Sequence, residues 1–139
     1  MKLHREELTI AVPGRGLLEI TAEIERVVAA SGVGTGLCHL FLRHTSASLL
    51  VQENADPSAR RDLERWFERL APDGDDFWSH RAEGPDDMPA HVRTALTATS
   101  LTVPVGDRKP MLGTWQGVYL FEHRLRPHRR RIVATVYGR

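Results

Sequence analysis

Two stretches of the chain concentrate side chains able to do chemistry. His44-Thr45-Ser46-Ala47-Ser48 precedes Gln52-Glu53-Asn54-Ala55-Asp56-Pro57, which gathers an imidazole, hydroxyls and two carboxylates around the ends of a predicted strand and a predicted helix. Further on, His80 stands in a polar segment ahead of Glu83-Gly84-Pro85-Asp86-Asp87-Met88-Pro89-Ala90-His91. Imidazole and carboxylate serve both as metal ligands and as acid/base groups. The spacing of His44, His80 and His91 matches no recognised metal code. A common site therefore requires a loop that faces the strand end and carries His80 and His91 to His44.

Each residue also has a plain structural reading. Asp56 caps the helix that Pro57 opens, and Thr45 and Ser46 close a turn. One of Asp86 and Asp87 caps the helix that follows. Glu53 has no such local duty, which leaves it for site chemistry. In Leu112-Gly113-Thr114-Trp115-Gln116-Gly117, Trp115 is either a core side chain or, with Gln116, a surface that stacks on and hydrogen-bonds to a heterocycle. Arg124, Arg126, Arg129, Arg130 and Arg131 form the most basic stretch. They read as a solvated turn or strand edge protected by charge, or as a phosphate contact.

Several elements must position these groups. Leu8, Ile10 and Val12 alternate as a first strand, and Leu17, Ile20, Ile24, Val27 and Val28 recur at helical spacing up to a stop at Ser31-Gly32. Residues 37–43 read as a strand with Cys38, Leu40, Leu42 and His44 on one face. Leu49-Leu50-Val51 is another. The helix after Asp56 has Leu63, Trp66, Phe67 and Leu70 as its inward stripe. Residues 71–88 carry five aspartates and little apolar periodicity, a connection long enough to be functional or disordered. A short helix over 89–99 turns Val92, Ala95 and Leu96 inward, and Leu101-Val103-Val105 is a strand. Residues 118–122 and 132–136, joined by a basic turn, read as an antiparallel pair. Early helices between strands followed by late strands in succession give an α+β fold: one domain over 1–139, a mixed, largely antiparallel sheet and about three helices.

The 139 residues suit one domain, and 19 basic against 18 acidic residues leave a formal charge of +1. That balance lacks the broad positive field of a non-specific nucleic-acid binder. The single cysteine, Cys38, excludes an intramolecular disulfide and fits a reducing compartment. With no apolar leader or spanning segment, the expected location is cytoplasmic.

The blocks His44-Thr45-Ser46-Ala47-Ser48-Leu49, Glu53-Asn54-Ala55-Asp56-Pro57, Glu83 to His91 and Leu112 to Arg124 together resemble the YjbQ-like family, whose members are labelled secondary thiamine-phosphate synthases. The resemblance covers most of the chain. It implies a compact α+β homotrimer with a histidine-containing polar pocket suited to a divalent metal, zinc first, or magnesium with a diphosphate substrate. It marks His44, His80 and His91 as ligands and Glu53 as the nearby carboxylate. The site it suggests has Glu53 and Asp86 as acid/base groups, and Thr45, Ser46, Trp115, Gln116 and Arg124 around a small phosphorylated metabolite. The implied reaction joins a pyrimidine-methyl diphosphate to a thiazole phosphate with loss of pyrophosphate. A zinc-dependent hydrolase and a metabolite- or RNA-binding trimer without efficient catalysis are the alternatives.

Overall fold

A computed structural model describes residues 1–139. Eight strands and three helices follow one another as β1 (Lys2–Val12), β2 (Gly16–Glu19), α1 (Thr21–Ser31), β3 (Gly36–Leu42), β4 (Ala47–Glu53), α2 (Pro57–Leu70), α3 (Asp87–Leu96), β5 (Ser100–Gly106), β6 (Lys109–Pro110), β7 (Gln116–Glu122) and β8 (His128–Gly138). A five-stranded sheet has the order β1-β8-β3-β5-β6, and a three-stranded sheet has the order β2-β7-β4. Every pairing is antiparallel. The fold is α+β in a single domain, and no helix is long and apolar enough to cross a membrane.

The alternation of side chains across a strand explains the layering. Leu8, Ile10, Cys38, Leu40, Leu42, Ile132, Ala134 and Val136 point from the large sheet into one core. There they meet Leu49, Val118 and Leu120 of the small sheet and Ile24, Val27 and Val28 of α1. The other face of the small sheet carries Leu17, Tyr119 and Phe121 onto Phe67 of α2. Cys38 lies fully inside, where burial pushes its thiol up to about 11 and removes it from nucleophilic chemistry.

Local signals hold where the chain alone decides. Asp56 caps α2, its side chain accepting from the Ser58 N–H at 2.9 Å, and Gly32 ends α1 in the left-handed conformation at φ 69°.

Long-range pairing overrides them elsewhere. Leu17 belongs to β2, paired with Phe121, so the helical stripe expected from Leu17 begins only beyond β2. The strands at 118–122 and 132–136 do not pair with each other. β7 lies between β2 and β4, while β8 lies between β1 and β3, and the turn joining them crosses between the sheets. On α2, Phe67 is buried whereas Trp66 and Leu70 are exposed. On α3 the inward face is Asp87, Pro89, Ala90 and Arg93, with Leu96 in solvent, because this helix covers a polar end of the sandwich.

Candidate metal centre

At that polar end the sequence alternates towards two different environments. Val118, Leu120 and Glu122 on β7 face the large sheet, whereas Tyr119 and Phe121 face α2. Fully buried Glu122 therefore meets Arg130, which projects inward from β8, in a buried bidentate ion pair that ties the two sheets together. Arg130 extends its remaining donors to the Ser46 carbonyl at 3.2 Å and the Ser46 hydroxyl at 3.0 Å. His123, just past β7, is buried beside Ser48, with its Nε2 2.9 Å from the Ser48 hydroxyl. Burial, reinforced by the charges of Arg93, Arg15 and Arg130, drives the His123 imidazole down to about 3, so it is neutral.

The Glu122 carboxylate also accepts the Arg124 backbone N–H at 3.0 Å, which orients that side chain towards the start of α3. Arg124 donates from Nε to Asp86 at 3.0 Å, from one terminal nitrogen to Asp87 Oδ1 at 2.8 Å, and from the other to the Glu83 carbonyl at 2.9 Å. Asp86 accepts the Leu125 N–H as well, at 2.9 Å, and makes no side-chain cap on α3. Burial alone would raise the Asp86 pKa, but these hydrogen bonds and the Arg124 charge outweigh it and hold the carboxyl below its ordinary value. Asp86 is therefore a structural anion, locked to Arg124.

Asp87 gathers the site. Its Oδ2 lies 2.8 Å from His80 Nε2 and 3.1 Å from His91 Nε2, and Glu83 Oε2 is 3.5 Å from the same His80 nitrogen. One potential ligand atom from each of His80, Glu83, Asp87 and His91 lies within 4.8 Å of all the others. Desolvation opposes the charge on Asp87, yet hydrogen bonding with His80 and Glu83 and the charges of His91 and Arg124 keep its pKa lowered. Asp87 is deeply buried, and His80 and His91 are partly open to solvent, so the cluster has an anionic floor and an accessible mouth.

The donor chemistry fits a metal. His91 Nδ1 is 3.1 Å from the Thr45 carbonyl, which can only accept, so a neutral ring carries its proton on Nδ1 and presents the Nε2 lone pair to the cluster, whereas a protonated ring pairs with Asp87 as a cation. That lone pair points at a carboxylate oxygen, an arrangement that otherwise demands a doubly protonated ring. A divalent cation among the four groups would satisfy both imidazoles and both carboxylates at once, with the Thr45 carbonyl fixing the His91 tautomer. Two nitrogen and two oxygen donors suit zinc or another first-row divalent ion better than magnesium.

The other expected site residues fall into two groups. His44 stands apart from the four-residue cluster: its Nε2 accepts the Arg131 N–H at 2.8 Å, and burial with the nearby Arg130 charge lowers its pKa. Thr45 contributes its carbonyl and Ser46 its carbonyl and hydroxyl, all to protein partners. Glu53 and Gln116 are cross-strand partners at the far end of β4 and β7, whereas Ala47 pairs with Glu122 beside the cluster. Six residues of strand separate those ends, about 20 Å at the usual rise. Trp115 is 64% exposed and not a core residue, and Gln116 accepts the Gly113 N–H at 2.8 Å. Within one chain Glu53, Trp115 and Gln116 are thus remote from His80 and His91.

Glu83 and Asp87 are not among the ligands expected from sequence. The signal for Asp87 is its spacing of four from His91, which places both on one face of α3. The basic stretch also differs from a solvated edge at two positions. Arg130 is buried against Glu122, and Arg124 is the clasp of the carboxylate cluster.

These features define an antiparallel α+β domain with a histidine–carboxylate cluster at one end of its sandwich. The chain belongs to the YjbQ-like UPF0047 family, whose model, described as UPF0047 protein YjbQ-like, matches residues 6–139. A UPF0047 protein of Synechocystis sp. is 51% identical over 135 residues, covering 97% of this chain and 92% of that protein. The UPF0047 protein YjbQ of Escherichia coli O157:H7 is 44% identical, covering 97% and 98%. The crystal structure of an uncharacterized conserved YjbQ/UPF0047-family protein from Clostridium acetobutylicum superposes with a TM-score of 0.87 at 29% identity, covering 95% of this chain and 99% of that one. A conserved hypothetical protein from Thermus thermophilus gives 0.82 at 33% identity, with 92% and 97% covered.

Proposed function

We propose that the protein is a metal-assisted transferase acting on a small phosphorylated heterocycle, with thiamine phosphate formation among its activities. The observation that carries the reading is the single Asp87 oxygen approached by two imidazole nitrogens, with the other oxygen fixed by Arg124. A bound divalent ion would supply Lewis-acid stabilisation of a departing diphosphate. His80, His91, Asp87 and Glu83 would hold it. Arg124 keeps Asp87 ionised and oriented, and two of its five N–H donors remain for a phosphate oxygen. In the transfer, the bond from the pyrimidine methylene carbon to the diphosphate oxygen breaks with its electron pair leaving on pyrophosphate, and the thiazole nitrogen lone pair forms the new C–N bond.

Glu53, Trp115 and Gln116 join this chemistry only if a second copy brings them to the histidine end, which is the role we assign to a homotrimer. Support comes from the outer face of the large sheet. Leu3, Tyr137, Leu37 and Pro104 form one cross-strand row there, and Val133 and Phe41 pair in another. Phe41 and Tyr137 remain 47% and 38% exposed, which suits burial between copies.

The deciding experiment measures thiamine phosphate formation by protein purified free of the host synthase and loaded with zinc. His91→Ala and Glu53→Gln should each reduce turnover at least tenfold, the first with loss of zinc and the second without. Equal rates for wild type and both variants would reject catalysis and leave a metabolite-binding protein.

A further inference from the structure

We infer that the loop between α2 and α3 forms the seat for a flat monocyclic heterocycle bearing one anionic group, walled by Trp78 and opening onto His80. The inference rests on the metal-site reading above only for where the ring's reactive end points. The seat itself is a separate feature of the fold. A cavity of about 250 Å³ is lined by Gly74, Asp75, Trp78, His80, Arg81 and the Gly84–Pro85 turn. His80 belongs to both the cavity wall and the histidine–carboxylate cluster, so a molecule in the cavity lies against the cluster.

The loop is held in place before any ligand arrives. Arg15 grips Asp73 through two parallel hydrogen bonds of 2.7 and 2.8 Å, and the Gly74 N–H donates to the Pro85 carbonyl at 3.0 Å, closing the loop on itself. Gly74 and Gly84 take φ of 67° and 102°, backbone angles costly for other residues, which fixes where the two ends of the loop turn. Trp78 donates its indole N–H to the Pro72 carbonyl at 3.1 Å and meets Phe77 edge-on with ring centroids 5.3 Å apart. Its one polar atom is therefore spent inside the loop, and what it offers a ligand is aromatic surface. Such a wall selects planar rings by stacking rather than by hydrogen bonding.

Charge and size narrow the class. Arg81 donates to the carbonyls of Trp78 and Asp76 at 2.6 and 2.9 Å, and its nearest carboxylate contact, to exposed Asp76, is a loose 4.0 Å. Its guanidinium is held in position yet keeps its positive charge and spare N–H donors, the arrangement that recognises a phosphate or carboxylate. The volume falls below the roughly 300–1,000 Å³ of pockets for drug-sized molecules, which favours one ring with a short arm over a whole nucleotide. This gives the acidic connection, with its Asp73 and Asp75, a binding role as well as a linking one.

The test is calorimetric titration of the full chain, zinc-loaded and zinc-free, with a (pyrimidinyl)methyl phosphate, the corresponding alcohol and inorganic phosphate. The phosphate ester should bind best. Trp78→Ala should weaken it at least tenfold at unchanged zinc content, Trp78→Phe should restore binding to within threefold, and Arg81→Gln should weaken the ester while leaving the alcohol unchanged. Wild-type affinity in Trp78→Ala, or equal binding of inorganic phosphate and the ester, would overturn the proposal. Ring binding that persists in wild-type protein unable to take up zinc would reject the metal reading and leave the seat standing. Zinc uptake without ring binding would do the reverse.

Discussion

Asp87 Oδ2 lies 3.1 Å from His91 Nε2 one turn further along α3, while Asp87 Oδ1 is held at 2.8 Å by Arg124 from the turn after β7. A helix supplies the pair of candidate ligands, and a residue distant in sequence holds the second oxygen of the carboxylate. The two contributions can be separated by mutation.

Removing the pair itself should abolish metal uptake. His91→Ala, His80→Ala and Asp87→Asn are each expected to lower zinc affinity by tenfold or more, measured by competition with a chromogenic chelator. His44→Ala should bind zinc as wild type does, because His44 is engaged by the Arg131 N–H and lies outside the cluster. Loss of zinc in His44→Ala with retention in His91→Ala would move the site to the strand end.

Removing the clasp should weaken the site without deleting a ligand. Arg124→Met leaves Asp86 with the Leu125 N–H alone and Asp87 with the two histidines alone, and removes the cation between two adjacent carboxylates. Breaking a fully buried pair costs about 3–5 kcal/mol, and because Arg124 keeps some solvent exposure the expected loss is nearer about 2 kcal/mol. Zinc affinity should fall about 10- to 100-fold, as it does when an outer partner of a metal ligand is removed. Urea unfolding and zinc titration of the same sample check both, and full zinc affinity would show that Asp87 is oriented without Arg124.

The sequence carried the parts of this site that are decided locally. Asp56-Pro57 announces α2, and alternation along Cys38, Leu40 and Leu42 announces a half-buried strand, because each needs only its neighbours. The elements read differently from sequence are those fixed by distant partners. Leu17 continues a helical stripe until Phe121 pairs with it, and Arg130 reads as a surface charge until Glu122 receives it. Asp86 and Asp87 are chemically identical neighbours, so residue type cannot say which one faces the histidines. The phase of α3 decides it, turning Asp87 to His91 and leaving Asp86 to Arg124 and the Leu125 N–H. The remoteness of Glu53 from His91 has no local signature, since it follows from both lying near opposite ends of the same paired strands.

His123 gives the protein an acid-sensitive core. Its folded pKa, about 3, is far below the ordinary 6.5, so the native state holds the ring neutral while the unfolded chain takes up a proton below pH 6.5. Its contribution is therefore intact above pH 6.5 and is lost as pH falls from there towards 3, with a slope no steeper than about 1.4 kcal/mol per pH unit. The lowered pKa of His44 acts in the same direction over the same window, so His123→Gln removes part of the slope, whereas those of Asp86 and Asp87 act only below their ordinary 3.8. Stability measured by urea unfolding should thus drop between pH 6.5 and 4.5, before those carboxylates titrate. His123→Gln should flatten that part of the curve, and an unchanged slope would show that His123 is not the group responsible.

The outer face of the large sheet decides whether one copy suffices. Tyr137 stands between Leu3 and Leu37 in one row, and Phe41 beside Val133 in the next, all on the face turned away from the core. If this face meets other copies, Phe41→Asp with Tyr137→Asp places two charges in an apolar contact, where an unpaired buried charge is strongly unfavourable. Light scattering over a dilution series should then show a trimer for the wild type and a monomer for the double variant. Zinc uptake should survive in that monomer, because His80, Glu83, Asp87 and His91 all come from one chain. Turnover should be lost, because Glu53 lies about 20 Å of strand away from the histidine end and needs a neighbour to reach it. A monomeric variant that keeps wild-type turnover would show that Glu53 plays no part in the reaction.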